Sequence, residues 1–279
     1  MSIEILLAVF NGEKYLESQI LSLQMQVYKD KMLCVRDGGS CDRSLSIIRE
    51  AFRKGARYRI LDSSGRVSAK ENFSELLKNS SSDYVAFCDQ DDVWDADKLT
   101  LEMAEMQHLE ALYPDRPIIV HCDLEVVDAT LNTLSPSFFD SQCLPRVHGS
   151  VLDQMVQNNV TGCTLLINRA ARDLVLPIPP EAIMHDWWIA AKVRYHGGVI
   201  GFVDRPLVKY RQHGANVVGA RDIDVFYYIR TLFKQWGFIK PWWAIYRQAR
   251  AIDPDVSLWN IVQRKTVLTF RRLKKRPQA

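Results

Sequence analysis

The sequence lacks the features of secreted and membrane-spanning proteins. No run approaches the ~18 uncharged apolar residues that a membrane helix requires. The first residues, Met-Ser-Ile-Glu, are not a basic region followed by an apolar one, so we expect no signal peptide. The six cysteines among 279 residues form no C-x-x-C pair, and we expect them to be small apolar residues of a reduced protein. These absences favour a cytoplasmic protein.

Internal repeats are also absent, but the charge is unevenly distributed. From Arg221 onward there are 13 Lys or Arg against 4 Asp or Glu, a balance of +9. Because the whole chain has a net charge of +3, residues 1–220 carry −6. The length suits a domain of ~200–250 residues with a short appendage. The change in charge therefore predicts a boundary near Gly219, between an acidic main domain over residues 1–218 and a basic, aromatic helical extension over residues 219–279.

Hydrophobic periodicity predicts an α/β fold for the first half of the domain. Short apolar runs, typical of buried parallel strands, alternate with segments of helical spacing. The predicted strands are Ile3–Val9, Met32–Val35, Tyr58–Leu61 and Tyr84–Cys88, and the predicted helices are 13–26, 43–53 and 71–77. Such units form a mostly parallel sheet flanked by helices, which binds ligands at the carboxyl ends of its strands. We expect Phe10, Asn11, Asp37 and Asp89–Asp92 to converge there.

The second half of the domain is less regular. It is predicted to contain a helix that opens at Trp94, a loop over 135–150 and a helix at His185–Tyr195. The predicted strands are Ile118–Cys122, 161–167, 199–203 and 207–210.

Three carboxylates, Asp89, Asp91 and Asp92, lie within four residues at the end of the fourth predicted strand. Like charges this close repel and raise each other's pKa, so a fold does not collect them for stability. A cation such as Mg²⁺ or Mn²⁺ would neutralise them and complete its shell with water and substrate phosphates. The alternative is that Asp91 or Asp92 caps the helix at Trp94, which explains one or two of the acids but not the third.

Three further positions have both a structural and a chemical interpretation. Asp37 precedes Gly-Gly-Ser, which forms either a tight turn or a loop that contacts a nucleotide. Asp186 either stabilises the N-terminus of its helix or is a general base whose pKa is raised by apolar neighbours. His213 is either a surface histidine or a metal ligand, and Arg211 beside it has the geometry to bind a diphosphate.

Taken in order, these segments resemble family 2 glycosyltransferases, which have the GT-A fold. The resemblance covers about residues 1–218, and its motifs are Ala8-Val9-Phe10-Asn11-Gly12, Arg36-Asp37-Gly38-Gly39-Ser40, Phe87-Cys88-Asp89-Gln90-Asp91-Asp92-Val93-Trp94, Thr161-Gly162-Cys163, His185-Asp186-Trp187-Trp188 and Tyr210-Arg211-Gln212-His213-Gly214. The D-Q-D-D-V-W and R-Q-H-G forms are most similar to bacterial rhamnosyltransferases. One motif departs from the family pattern, since Gly38 replaces the second of two adjacent acids that usually precede Gly-Ser.

The resemblance implies an inverting sugar transfer with Mg²⁺ or Mn²⁺ as cofactor. It implies that Asp186 is the catalytic base and that Asp89, Asp91 and His213 hold the metal. The residues implied for the donor, dTDP-rhamnose or a UDP-sugar, are Ala8, Val9, Phe10, Asn11, Asp37, Asn72, Asp89, Gln90 and Arg211. Those implied for a glycan or glycolipid acceptor are Thr161, Gly162 and Trp187. The product would be a precursor of a cell-envelope polysaccharide such as lipopolysaccharide.

The C-terminal extension also has two interpretations. Phe226, Ile229, Phe233 and Trp236 recur at helical spacing, and residues 271–276 are mostly basic. Such a segment either lies peripherally on the cytoplasmic face of the inner membrane or packs on the catalytic domain. We recognise no nucleic-acid-binding motif, so nucleic acid is not an expected partner.

Two other functions fit part of the pattern. A scaffold that has lost catalysis would still bind a nucleotide sugar, although the presence of Asp91 and Asp186 argues against it. A nucleotidyltransferase also uses a parallel sheet, carboxylates and Mg²⁺, but it normally carries a Gly-rich, basic loop after its first strand. The segment Phe10-Asn11-Gly12-Glu13 is not such a loop.

Overall fold

The four strands predicted at the start of the chain lie side by side and run parallel. The computed structural model describes residues 1–52, 57–62, 65–213 and 239–275. The parallel strands, in spatial order, are β3 (Tyr58–Leu61), β2 (Lys31–Asp37), β1 (Ile3–Val9) and β4 (Tyr84–Asp89). The connecting helices are α1 (Leu16–Gln24), α2 (Ser44–Ala51) and α3 (Ala69–Lys78). The predicted α/β class is confirmed.

Beyond β4 the sheet continues with strands of mixed direction. These strands are β5 (Val93–Trp94), β6 (Ile118–Val127), β7 (Thr133–Ser135), β8 (Leu166–Asn168) and β9 (Val199–Arg211). β8 is antiparallel to both β4 and β6, and β6 is parallel to β9. β5 pairs with the last residues of β9, where Val93 lies opposite Lys209. This pairing brings the segment between β4 and β5 beside the carboxyl end of β9.

Helices cover both faces of the sheet. The remaining helices are α4 (Lys98–Leu112), α5 (Phe138–Ser141), α6 (Val151–Val156), α7 (Arg169–Val175), α8 (His185–Tyr195), α9 (Ile239–Ile252) and α10 (Leu258–Lys275). Alternate residues of β1 divide between two apolar clusters. Ile5 belongs to the cluster that includes residues of α1, α2 and α4, whereas Leu6 belongs to the cluster that includes residues of α3 and α8. β1 is therefore buried on both faces, as its continuous apolar run predicts.

Three local predictions are wrong. The segment 161–167 begins with a 3₁₀ turn at Gly162–Thr164, because Thr164 and Leu165 donate their backbone N–H groups to carbonyls three residues earlier. The two strands predicted at 199–203 and 207–210 are one strand, β9, which shifts register opposite Asp123. The predicted loop 135–150 contains the short helix α5.

The acidic cluster does not cap a helix. Trp94 lies in β5, and α4 begins only at Lys98 with Asp97 as its N-cap residue. The capping interpretation of Asp91 and Asp92 is therefore wrong, because β5 pairs with β9 where the sequence suggests a helix start.

Helices α9 and α10 pack on the rest of the domain through apolar side chains. Ile245 and Ile252 of α9 and Ile261 and Leu268 of α10 are buried in the same cluster as Trp188 of α8. These helices agree with the predicted helical C-terminus. The predicted amphipathic segment 226–236 and the proposed domain boundary near residue 219 lie outside the described residues.

Polar contacts add to this packing. The Arg264 guanidinium forms an ion pair with Asp153 of α6, with Nη2 2.8 Å from Oδ2. The Arg272 guanidinium donates to the carbonyl oxygen of Gln142 at 2.7 Å. Helix α10 is thus joined to two separate parts of the preceding chain, at Asp153 and Gln142.

We expect Ile261→Ala to destabilise the domain, because Ile261 is fully buried where α10 meets the shared cluster. Truncating a buried isoleucine costs ~2–5 kcal/mol of unfolding free energy, which lowers the melting temperature by roughly 5–15 °C. The matched control is Gln263→Ala, at an exposed position on the same helix. This substitution should change the melting temperature by less than about 2 °C. Thermal unfolding followed by circular dichroism measures both. Equal melting temperatures would mean that α10 unfolds independently.

Candidate active site

The carboxyl ends of β1, β2 and β4 meet at one edge of the sheet. Their register pairs Val9 with Asp37 and Ala8 with Asp89. The two strand-end carboxylates therefore flank the last residues of β1, and Phe10 continues from there toward α1. The residues predicted for the donor from these three strands lie together in the structure.

The loop after β1 is held by the Gln90 side chain. Gln90 Oε1 accepts the Phe10 N–H at 2.7 Å, and Gln90 Nε2 donates to the Phe10 carbonyl oxygen at 2.8 Å. A Cβ atom on Gly12 would lie 2.4 Å from Gln90 Oε1, so glycine is needed there for the close approach. Gln90 lies between Asp89 and Asp91, so these two hydrogen bonds hold the loop after β1 beside the acidic segment.

Asp37 organises the turn after β2. Its Oδ2 accepts the backbone N–H groups of Gly39 and Ser40, at 3.2 and 2.9 Å. Ser40 Oγ in turn accepts the N–H of Asn11, which has a φ of 48°. The tight-turn interpretation of this motif explains these contacts, and binding of a nucleotide by Asp37 stays a prediction.

Asn72 bridges the ends of the first two strands. Its Oδ1 accepts from Arg36 Nη1 at 2.9 Å, and its Nδ2 donates to the Arg36 carbonyl oxygen at 3.1 Å. A Cβ atom on Gly38 would lie 3.3 Å from both Asn72 Nδ2 and the Val9 carbonyl oxygen. The departure from the family pattern at Gly38 therefore coincides with a crowded position, where an acidic side chain would have to displace its neighbours.

The acidic cluster is the main electrostatic feature of the site. Burial, and then the charges of Asp91 and Asp186, raise the pKa of Asp89 to about 7. Asp92 is fully buried, and burial together with Asp91 and Asp89 raises its pKa well above the usual range. Asp92 Oδ1 accepts the Arg211 N–H at 3.2 Å, while Oδ2 has no hydrogen-bond partner among the described residues. Such a cluster has the charge and the unpartnered oxygen that a cation would satisfy.

His213 faces this cluster from the end of β9. Its Nε2 lies 2.8 Å from Asp91 Oδ2, and its ring is 4.7 Å from the ring of Tyr15. Two of the three residues predicted to hold a metal are thus in direct contact. Asp89 instead groups with Asp92 and Cys163, whose potential ligand atoms lie within 4.8 Å of one another. The potential metal ligands near Asp89 and Asp91 are mainly carboxylate oxygens with one imidazole nitrogen, a combination that fits Mg²⁺ or Mn²⁺.

Arg211 is buried behind the cluster. Its Nε donates to the Asp91 carbonyl oxygen at 2.7 Å, and its Nη1 donates to the Ala129 carbonyl oxygen at 2.8 Å. The guanidinium also lies 4.6 Å from the centre of the Tyr15 ring. These contacts hold the loop between β4 and β5, and binding of a diphosphate by Arg211 stays a prediction.

Asp186 lies in the first turn of α8. Its Oδ1 accepts the Trp187 N–H at 2.7 Å and its Oδ2 accepts the Gly162 N–H at 3.1 Å. Burial nevertheless raises the pKa of Asp186 to about 6. Its charge also raises the pKa of Asp89, so the two carboxylates belong to one site. A carboxylate with such a pKa can accept a proton near neutral pH.

The residues predicted for the acceptor surround Asp186. Gly162 leaves room for a neighbour, since a Cβ atom there would lie 2.8 Å from His185 Nε2. Thr161 precedes it, and Trp187 is half-buried with its Nε1 donating to the Gln154 carbonyl oxygen at 2.9 Å. His185 packs between Phe73 and Phe87, and burial lowers its pKa to about 3. The imidazole is therefore neutral and does not compensate the charge of Asp186.

Sequence reasoning missed three residues that border the site. Tyr15 contacts both His213 and Arg211, Arg66 lies 5.0 Å over the Phe10 ring, and Cys163 joins the Asp89–Asp92 group. Only Cys163 could have been identified from the sequence, because it belongs to the Thr161-Gly162-Cys163 motif. Tyr15 and Arg66 stand outside any motif and are brought in by the fold.

Comparison with known proteins identifies the family. Residues 4–170 match the family described as Glycosyl transferase family 2. A dTDP-rhamnosyl transferase, RfbG of Shigella flexneri, is 26% identical over 245 residues, which are 85% of this chain and 80% of the relative. An uncharacterized glycosyltransferase of Haemophilus influenzae is 32% identical over 135 residues, which are 48% of this chain and 53% of the relative.

Solved structures share the fold. TarS residues 1–349 of S. aureus, crystallised with UDP-GlcNAc, superpose on 98% of this chain and 73% of that chain with a TM-score of 0.66 and 15% identity. The mannosyltransferase PcManGT of Pyrobaculum calidifontis, in complex with GDP-Man and Mn2+, superposes on 98% of this chain and 82% of that chain with a TM-score of 0.59 and 14% identity. The family match covers more than half of the chain and the sheet has the matching architecture, so the chain belongs to glycosyl transferase family 2 and is a glycosyltransferase with the GT-A fold.

Proposed function

We propose that the protein is a metal-dependent, inverting glycosyltransferase that transfers L-rhamnose from dTDP-L-rhamnose to a precursor of a cell-surface polysaccharide. One observation carries the catalytic part of this proposal: a buried carboxylate with a raised pKa, Asp186, shares a site with an acidic cluster at the carboxyl ends of the strands. The rhamnosyl part is supported by the similarity to the Shigella dTDP-rhamnosyl transferase. A UDP-hexose donor is the alternative within the family.

The donor would lie across the ends of β1 and β2. Asp37 and the backbone of Ala8, Val9 and Phe10 would contact the nucleoside, and Asn72 and Gln90 would keep these segments in place through the contacts described above. Arg66 covers Phe10 and adds a positive charge at this edge. Arg211 and His213 would lie at the diphosphate end of the donor.

Asp91 and His213, with Asp89, would hold a Mg²⁺ or Mn²⁺ ion. When bound, the cation supplies positive charge that stabilises the departing nucleoside diphosphate. Asp92 stays behind these groups, where the Arg211 N–H holds one of its oxygens. With a cation bound nearby, the Asp92 carboxyl group would ionise and add negative charge to the cation site without contacting the donor.

Asp186 would receive the proton of the acceptor hydroxyl. As that O–H bond breaks, the acceptor oxygen bonds to the anomeric carbon from the face opposite the diphosphate, and the bond between the anomeric carbon and the diphosphate oxygen breaks. Thr161, Gly162 and Trp187 would position the acceptor, with the half-buried Trp187 ring against a sugar face. The N–H groups of Gly162 and Trp187 orient the carboxylate for this role.

We expect donor binding to require both the metal and the Asp91 carboxylate. Thermal shift would be measured with dTDP-rhamnose, UDP-glucose, UDP-galactose and UDP-N-acetylglucosamine, with Mn²⁺ or Mg²⁺ and with chelator. A ligand at 100 times its Kd adds ~2.7 kcal/mol of stability. dTDP-rhamnose should give this shift with metal, and Asp91→Asn or chelator should remove it. Asp204→Asn, at an exposed carboxylate of β9, is the matched control.

Each alternative has a distinct signature in this experiment. A shift with UDP-sugars only would keep the enzyme class but overturn the rhamnosyl assignment. A full metal-dependent shift in Asp91→Asn would remove Asp91 from the metal ligands. Donor binding by the wild type without transfer to any acceptor would favour the non-catalytic scaffold.

We expect Asp186→Asn to lower the rate of transfer by ~10²–10⁴-fold, because general base catalysis contributes about this much. Donor-induced thermal shift should be retained, since Asp186 would contact the acceptor side. Only the deprotonated carboxylate accepts a proton, so wild-type kcat/KM should fall about tenfold per pH unit below an apparent pKa near 6 and level off above it. Wild-type rates in Asp186→Asn, or a pH profile that is flat between 5 and 7, would exclude Asp186 as the base.

A further inference from the structure

Helix α10 has a second apolar stripe that does not pack on the described part of the domain. Its inner face buries Ile261 and Leu268. On the opposite side, at helical spacing, lie the exposed residues Trp259, Val267 and Phe270. The Trp259 side chain is 71% exposed and that of Phe270 is 61% exposed. Exposed aromatic side chains that share one helix face make that face a candidate interaction surface.

The charged residues within α9 and α10 are all of one sign, and the nearest acids in sequence, Asp253 and Asp255, lie in the loop between the two helices. The sequences of α9 and α10 contain nine Lys or Arg and no Asp or Glu. Arg264 is paired with Asp153, and Arg272 is bound to the Gln142 carbonyl oxygen. Arg271 and Lys274 are exposed and flank Phe270 on the outer side. The stripe therefore combines aromatic groups with basic ones and presents no acid.

The exposed face of α9 also combines aromatic and basic side chains. Trp243, Arg247 and Arg250 are exposed at helical spacing. Arg247 lies 3.5 Å from Glu181, a distance at which the pair is weak. Both C-terminal helices thus bury one side in the domain and expose tryptophan and arginine on the other.

We propose that the outer face of α10 is a docking surface for bilayers that contain anionic phospholipids. Tryptophan prefers the boundary between headgroups and acyl chains, and basic residues are attracted to the negative potential of anionic lipid. Among the described residues no helix is long and apolar enough to cross a bilayer, so α10 would lie in the plane of the interface. A second copy of the chain is a poor occupant, because two such faces would bring like charges together.

The binding itself needs neither donor nor metal, and only its use to the enzyme rests on the proposed function. A glycolipid acceptor is confined to the membrane, so an enzyme held at the same surface meets it at high local concentration. Because α10 shares an apolar cluster with α8, docking would also fix the orientation of Asp186 relative to the bilayer.

The test is co-sedimentation of the full chain with vesicles of phosphatidylcholine alone and of phosphatidylcholine with 30% phosphatidylglycerol. We expect binding to the anionic vesicles that weakens at 0.5 M salt. Trp259→Ser with Phe270→Ser, and separately Arg271→Glu with Lys274→Glu, should each lower the partition coefficient at least tenfold. The matched controls are Leu134→Ser, an exposed apolar residue of β7, and Lys29→Glu with Arg49→Glu, which are exposed elsewhere.

All variants should keep the wild-type melting temperature and the donor-induced thermal shift, because the changed side chains are exposed. A loss of vesicle binding with the donor shift intact supports the surface, whatever the donor proves to be. Binding that survives both double variants would place the contact elsewhere and overturn the proposal. A concentration-dependent dimer that the same variants abolish would also overturn it, in favour of a second copy of the chain.

Discussion

The gathering of carboxyl groups at the carboxyl end of β4 is the constraint on which the rest of the site depends. Asp89 and Asp92 are held where burial and their acidic neighbours disfavour ionisation. Asp186 adds its charge from the first turn of α8. A folded chain without a cation must keep protons on these groups or bear their repulsion, and either state would be relieved by a bound cation. The arrangement therefore supports the proposed metal site, because a repulsion that opposes folding would become an attraction for the cation.

The surrounding fold places the carboxylates with backbone contacts. Arg211 donates to the carbonyl oxygen of Asp91 through its guanidinium and to the carboxylate of Asp92 through its backbone N–H. His213, two residues on, reaches the Asp91 carboxylate. The end of β9 thus holds both the backbone and the carboxylate of Asp91, in the short loop between β4 and β5. On its other side Gln90 ties that loop to Phe10 at the end of β1.

Sequence patterns correctly predict the elements whose ends are set by neighbouring residues in the chain. Ile3–Val9 and His185–Tyr195 are observed with the predicted bounds, since an apolar run or helical spacing ends in turn residues at each. The turn at Gly162 fails as a strand because its N–H bonds to Asp186, 24 positions away. Trp94 fails as a helix start because β5 pairs with β9 more than 100 residues later. An even larger separation in sequence hides the contact of Tyr15 with His213.

Helix α8 connects the site to the C-terminal helices. Its first turn carries Asp186, while Trp188 and Ile189 enter the cluster that α9 and α10 complete. If the C-terminal helices were a loose appendage, this side of α8 would face water. Because they pack there, the position of Asp186 depends on side chains some 60 to 80 residues further along the chain. A helix with two apolar faces can then serve two purposes, since its inner face supports the carboxylate and its outer face stays available for an apolar surface beyond the protein.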